Sequence, residues 1–375
     1  MHRRAALATL GTVAMSGCLR LQEGNGSGNE INLAEQWTKE LFNSPFIRDD
    51  HIVFERSSRG GGFVAFVDVN GNEGYTTEEL GGEYILDLKT GNGMAATETA
   101  VYATGHNRSD SARLAAFDPD SGDREWTHET SPTESQNYIP HIAADGEQVY
   151  YAGTTMGFGS GNPSKDAVVR GISAVDGSIN WETEFGDEIF RGLELFNSQL
   201  VIGFGNTLRM LDTSSGTVIW EDNLDEWTDD GFIRIDNLVY TIDNKIRAHD
   251  LEIRSQVWSM ERDREPDTES IVSDNTLYSA TNPGTLTAHN LDTQTKLWEV
   301  TLDHSIETQP AVSNSVVFVG DFQGNFSGID RDSGEVVYTN QRNAQRIYLT
   351  AIDDFLCVSA LTQDDSFARG YEITS

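Results

Sequence analysis

One pattern returns along the chain: LAAFDPDSGDREW ending at Trp126, GISAVDGSINW at Trp181, LRMLDTSSGTVIW at Trp220, IRAHDLEIRSQVW at Trp258, LTAHNLDTQTKLW at Trp298 and FSGIDRDSGEVVY at Tyr338. The last residues of these segments stand 55, 39, 38, 40 and 40 positions apart. A period of that size means one supersecondary unit that buries its apolar face only by stacking on its neighbours. A chain built this way is restricted to a solenoid, an array or a closed ring.

Each unit carries a β-branched and aromatic run upstream: VYATG at 101–105, VYYAG at 149–153, LVIGFG at 200–205, LVYTID at 238–243, LYSAT at 277–281 and VVFVGD at 316–321. Such runs, bounded by Gly, Asn and Asp, read as strands. The D-x-x-[ST]-G turns at 87–91, 118–122, 212–216 and 330–334 have a physical cause. Asp hydrogen-bonds backbone amides across the turn, and Gly takes the positive φ that closes it. These acids are turn formers first.

Units of about 40 residues with roughly four strands each describe a β-propeller. The chain ends support closure: Gln36 to Leu41 reads as a Trp strand lacking its upstream half, and 355–375 reads as an upstream half lacking its Trp strand. Joined, they complete one blade and protect both open edges of the ring. A degenerate unit lies between, with strand signals at 51–55 and 63–68, the turn at 87–91, and Ala95 in the place of the Trp. The expected fold is all-β, an eight-bladed propeller of four-stranded antiparallel blades spanning 35–375, with seven blades as the runner-up.

The pattern G-x-L-x-A-x-D-x-x-[ST]-G-x-x-x-W, best seen at 284–298 and 324–338, resembles the repeat of pyrroloquinoline-quinone-type propellers. That family includes quinoprotein dehydrogenases and also non-enzymatic propeller lipoproteins of barrel assembly, so the resemblance implies a fold and not an activity. It implies that Trp126, Trp181, Trp220, Trp258, Trp298 and Tyr338 pack between neighbouring blades. A dehydrogenase of this family is expected to carry an adjacent cysteine pair, a calcium-binding set and a catalytic Asp on a longer chain. Here the two cysteines, Cys18 and Cys357, are far apart, and 35–375 barely covers eight plain blades. No nucleophile context and no nucleotide-binding loop stands out. The reading is a non-catalytic interaction or assembly scaffold that needs no cofactor. The alternatives are a quinone- and calcium-dependent alcohol or polyol dehydrogenase, and a carbohydrate- or peptide-binding surface subunit.

Residues 1–17 read as an export signal, with Arg3 and Arg4 ahead of a short, mildly apolar stretch, and small residues running into Cys18. The paired arginines resemble twin-arginine signals and the approach to Cys18 resembles a lipobox, with Met15 where Leu is commonest. Cys18 is then the lipidated first residue of the mature chain, 18–34 a polar Gly-rich tether, and the location the outer face of the cytoplasmic membrane. The 60 Asp+Glu against 26 Lys+Arg give a net charge of −34, which excludes nucleic acid and anionic headgroups as direct partners. Lysine stands only at 39, 89, 165, 245 and 296, a lysine-poor acidity that resembles proteins of halophiles.

Further candidates complete the reading. Asp68, Asn70, Asn72 and Glu79 occupy calcium-loop positions 1, 3, 5 and 12, but Glu73 stands where the loop needs Gly; an acidic connection is the plainer reading. The excess length before Trp181 falls in 154–168, where Met156 and Phe158 stand among glycines, and Trp227 lies off the repeat register. These are candidate partner loops for a protein or surface polymer. Sequons at Asn25, Asn107 and Asn325 could carry glycans. Cys357, in an apolar run, reads as a buried structural thiol.

Overall fold

The computed structural model describes residues 31–374 except 41–44, 49–50, 59–60, 69, 71, 77–83, 87–93, 98, 108–111, 119–120, 130–140, 155–166, 187, 189, 205, 225–231, 243–244, 262–267, 269, 282, 342–343, 345 and 362–365. Among these residues there is no helix, and the strands form eight antiparallel sheets. Seven have four strands and one has five. We number the sheets in chain order: I (45–76), II (84–129), III (141–186), IV (190–223), V (232–261), VI (271–301), VII (311–341), and VIII, which takes three strands from the C-terminus and one from the N-terminus.

The upstream runs of the sequence pattern are second strands, such as Gln148–Thr154 and Val316–Gly320, and the residues ahead of the turn are third strands. The Trp sits on the fourth strand. Second strands are buried almost throughout because a neighbouring sheet covers each face. Third strands keep Leu, Ile and Ala at the same depth, as at Leu208 and Ile246.

Neighbouring sheets pack face to face around a closed ring. The first strands His141–Ala144, Phe190–Phe196 and Phe232–Ile235 touch in succession, linking sheets III to V. Tyr240 and Ile246 share one apolar cluster with Leu277 and Leu291, and Tyr278 and Leu286 share another with Val317 and Ile329. Arg346–Ile352 of sheet VIII touches Ala311–Val312 on one side and Pro45–Arg48 on the other. In sheet VIII, Asn32–Glu40 pairs antiparallel with Ser366–Thr374, Trp37 opposite Gly370, with a bulge between Glu35 and Trp37. The N- and C-terminal segments thus complete one sheet between them.

Three expectations are corrected. Residues 32–34 are not tether: the strand begins at Asn32, and Leu33 is buried opposite Ile373, because an apolar residue facing sheet VII gains more in the core than in water. Ala95 is not a degenerate Trp position: Met94–Ala96 pairs with the Val101–Asn107 strand of sheet II and packs against His141–Ala144. The irregular unit closes earlier, its fourth strand being Glu73–Thr76. Asp68 accordingly heads the turn into that strand, its Oδ1 accepting the amides of Asn70 and Asn72 and its Oδ2 the Nδ2 of Asn72. The same arrangement recurs at Asp321, which accepts from Gln323, Asn325 and the Asn325 side chain. D-x-x-G-N is therefore a hairpin device of this chain.

Candidate functional site

The joints between sheets explain the repeat. Trp126 Nε1 donates to Ala174 O at 2.8 Å, Trp181 Nε1 to Thr213 O at 2.7 Å and Trp298 Nε1 to Arg331 O at 2.8 Å. Each acceptor lies in the turn of the next sheet, whose glycine, Gly177, Gly216 or Gly334, holds φ near 70° (71, 68 and 74) with the indole against it. Gly is thus required twice, by backbone and by space. At the joints IV–V and V–VI the turn residue is Arg254 or Gln294, also at positive φ (58 and 57). There Trp220 packs with the buried Leu251, and Trp258 with Leu291.

Buried cations at these joints are held by carboxylates of the chain itself. Arg170 Nε donates to Glu182 at 2.6 Å. Arg209 makes a bidentate pair with Glu188 at 2.7 and 2.9 Å, donates from Nε to Glu221 at 2.8 Å, and lies over the Phe185 ring. Arg331 reaches back to Asp274 at 2.9 Å and Tyr278 Oη at 3.1 Å. Pairing of this kind leaves little cation to offer a ligand.

The seam between sheets IV and V differs. A cleft of about 510 Å³ opens there, lined by Leu195, Phe196, Asn197, Arg234, Asp236, Asn237 and Glu252. The two-residue turns Asn197-Ser198 and Asp236-Asn237 join first strands to second strands and form its rim. Positive φ at Asn197 (45°) and Asp236 (50°) suits their short polar side chains. Arg234 Nη1 donates to Asp236 O at 2.8 Å, while its buried Nε has no hydrogen-bond partner among the described residues. Glu194 is open to solvent yet walled by protein; that desolvation raises its carboxyl above the usual range, and Arg234 opposes the shift. Deeper in the seam, His249 is 1% exposed with Nδ1 3.2 Å from Asp222 Oδ2. Desolvation lowers its pKa, with Asp222 opposing and Arg247 assisting.

The sequence candidates scatter around the ring rather than meeting at this cleft. Trp298 is buried, whereas Trp126, Trp181, Trp220, Trp258 and Tyr338 are half-buried. Arg3, Arg4, Cys18, Asn25, Glu79, Met156, Phe158 and Trp227 lie outside the described residues. Asn107 ends a strand of sheet II opposite Tyr84. Asn325 is not an open sequon: its Nδ2 is bonded to Asp321 at 2.6 Å and Ser327 is fully buried, because the D-x-x-G-N turn uses the amide that a glycan needs. Cys357 is buried, and desolvation raises its thiol pKa. His304 Nε2 lies 2.8 Å from Ser327 Oγ, but that hydroxyl has no route to a substrate. No three His, Cys, Asp or Glu converge as metal ligands among the described residues.

Sequence reasoning missed Glu194, Arg234 and Asp222, which lie outside the repeat segments, and His249, which stands inside IRAHDLEIRSQVW as one of its strand residues. For Glu194 and Arg234 a signal was available: [ND]-[NS] pairs at 197, 236, 274 and 314 precede four of the six β-branched runs and mark first strands that went unread.

A ring of such sheets defines a β-propeller of pyrroloquinoline-quinone-like repeats. Residues 165–273 and 242–353 match the family model described as outer membrane protein assembly factor BamB, together just over half of the chain, and the chain belongs to that family. No curated protein sequence matches it. Among solved structures it is similar to BamB from Moraxella catarrhalis, with 16% identity, TM-score 0.65, and coverage of 91% of this chain and 100% of that one. It is also similar to a europium-containing methanol dehydrogenase, with 9% identity, TM-score 0.63 and coverage of 92% and 93%. A third is the quinohemoprotein alcohol dehydrogenase from Comamonas testosteroni, with 11% identity, TM-score 0.64 and coverage of 92% and 76%. At these identities the likenesses establish the fold alone.

Proposed function

We propose that the protein is a non-catalytic binding and assembly scaffold, exported and held by a lipid on Cys18 at the outer face of the cytoplasmic membrane. The observation that carries this reading is the match of 165–353 to the assembly-factor family. The treatment of cations supports it. A quinone cofactor bearing three carboxylates needs convergent free basic groups. Arg170, Arg209 and Arg331 are bound to Glu182, Glu188, Glu221 and Asp274, and Arg234 stands among Asp236, Glu252 and Glu194. No such convergence is met at Arg170, Arg209, Arg234 or Arg331, which supports a reading without that cofactor. Partners are a protein or a surface polymer reached through segments such as 154–168. The acidic, lysine-poor surface suits a solvent of concentrated salt.

Fractionation combined with in-cell cross-linking tests the reading. The protein is expected in the membrane fraction, cross-linked to one reproducible partner, with Cys18→Ser released to the soluble exported fraction. Retention of Cys18→Ser with the membrane, or a wholly monomeric wild type, contradicts it.

A further inference from the structure

We propose that the cleft between sheets IV and V is a binding site for a neutral saccharide. The repeat itself marks the position. Arg234 pairs with Val239 at the end of its first strand, and the equivalent positions, opposite Leu200, Leu277 and Val317, hold Leu195, Val272 and Val312. A guanidinium stands where the neighbouring units keep an aliphatic residue, its Nη1 on Asp236 O. Its Nε–H is buried and without a hydrogen-bond partner among the described residues, as is that of Arg369, whereas Arg170, Arg209 and Arg331 place theirs on acceptors of the chain. A ligand oxygen in the cleft would complete it.

The lining selects the ligand class. Asp236 and Glu252 offer acceptors, Arg234 offers donors, and Asn197 and Asn237 carry amides, with the ring of Phe196 beside them. A cation entering the cleft meets Arg234, and an anion meets the two carboxylates. A hydroxyl both donates and accepts, so a polyol satisfies both signs. The cleft, about 510 Å³, is open and mostly polar, which suits a hydrophilic ligand rather than an apolar one. This inference stands apart from the scaffold reading, since a scaffold without a sugar site and a sugar-binding protein without a partner are both coherent.

Calorimetric titration of the protein with maltotriose and cellotriose tests it, beside cationic chitosan trimer and anionic trigalacturonate. At least one neutral trisaccharide is expected to bind with Kd of about 1 mM or tighter, and both charged trimers at least about fivefold more weakly. Arg234→Val restores the residue of the repeat and is expected to keep the thermal melt while weakening binding about tenfold. Asp236→Asn, at an exposed turn that tolerates Asn, reports a loss of affinity independent of folding. No neutral binding, unchanged affinity in both variants, or preference for either charged trimer overturns the proposal. Oxidation of the bound sugar would leave the site standing and overturn the scaffold reading instead.

Discussion

At the scale of single residues, the left-handed position of the third turn separates two kinds of joint. Gly334 cannot gain a Cβ, because that atom would lie 2.8 Å from the Trp298 ring in a backbone of φ 74°. Gly334→Ala is expected to cost about 2–4 kcal/mol in urea unfolding, from strain and displaced indole together. Arg254→Gly and Gln294→Gly, at φ 58° and 57°, are expected to fall between neutral and about 1 kcal/mol stabilising. A loss at Gln294→Gly as large as at Gly334→Ala would show that the turns are governed by their side chains instead. His249 makes a pH prediction at the same scale. Its folded pKa is lowered from 6.5 by burial, so its contribution is complete above 6.5 and lost as pH falls towards the folded value. His141, half-exposed but desolvated beside Phe190 and lowered to about 4, acts in the same direction. Glu194, raised by desolvation, acts oppositely, its contribution fading as pH rises through its folded pKa. Chemical unfolding between pH 7 and 5 is expected to show a shallower loss in His249→Gln than in the wild type; an identical slope assigns the acid sensitivity elsewhere.

At the scale of elements, the repeat was legible because it fixes strands two, three and four through side chains with local chemistry. Asp212 shows why: its Oδ1 accepts the amides of Ser214 and Ser215 at 3.1 and 3.0 Å and both hydroxyls at 2.6 and 2.9 Å, all within four residues. First strands escaped notice because they are short or mixed, as in Ile271–Ser273 and Ala311–Val312, and their register is set by the sheet beside them. The cleft went unread for the same reason, since Arg234 and Glu252 are distant in sequence and meet only across two strand connections. The indole clasp is testable as an element: Trp181→Phe keeps the ring but loses the 2.7 Å bond to Thr213 O. It is expected to cost about 1–2 kcal/mol, while Trp258→Phe, where packing with Leu291 dominates, costs less. Equal costs would remove the distinction between the two joints.

At the scale of the whole molecule, ring closure depends on one strand. Asn32–Glu40 supplies the fourth strand of sheet VIII and buries Leu33 and Trp37. A chain beginning at residue 41 is expected to lose cooperative unfolding and to aggregate through the exposed edge at Ser366–Thr374; a monomeric, cooperative product would mean that seven sheets hold the ring unaided. The net charge of −34 predicts that the melting temperature rises from low to molar KCl as self-repulsion is screened, and a flat profile would detach the acidity from salt adaptation. The central claim, a propeller of the quinone-repeat type that works by binding rather than catalysis, is met most directly by calorimetric titration with pyrroloquinoline quinone and calcium in molar salt, followed by dye-linked alcohol oxidation on the same sample. The account predicts neither binding heat nor turnover, and stoichiometric quinone binding with turnover would contradict it.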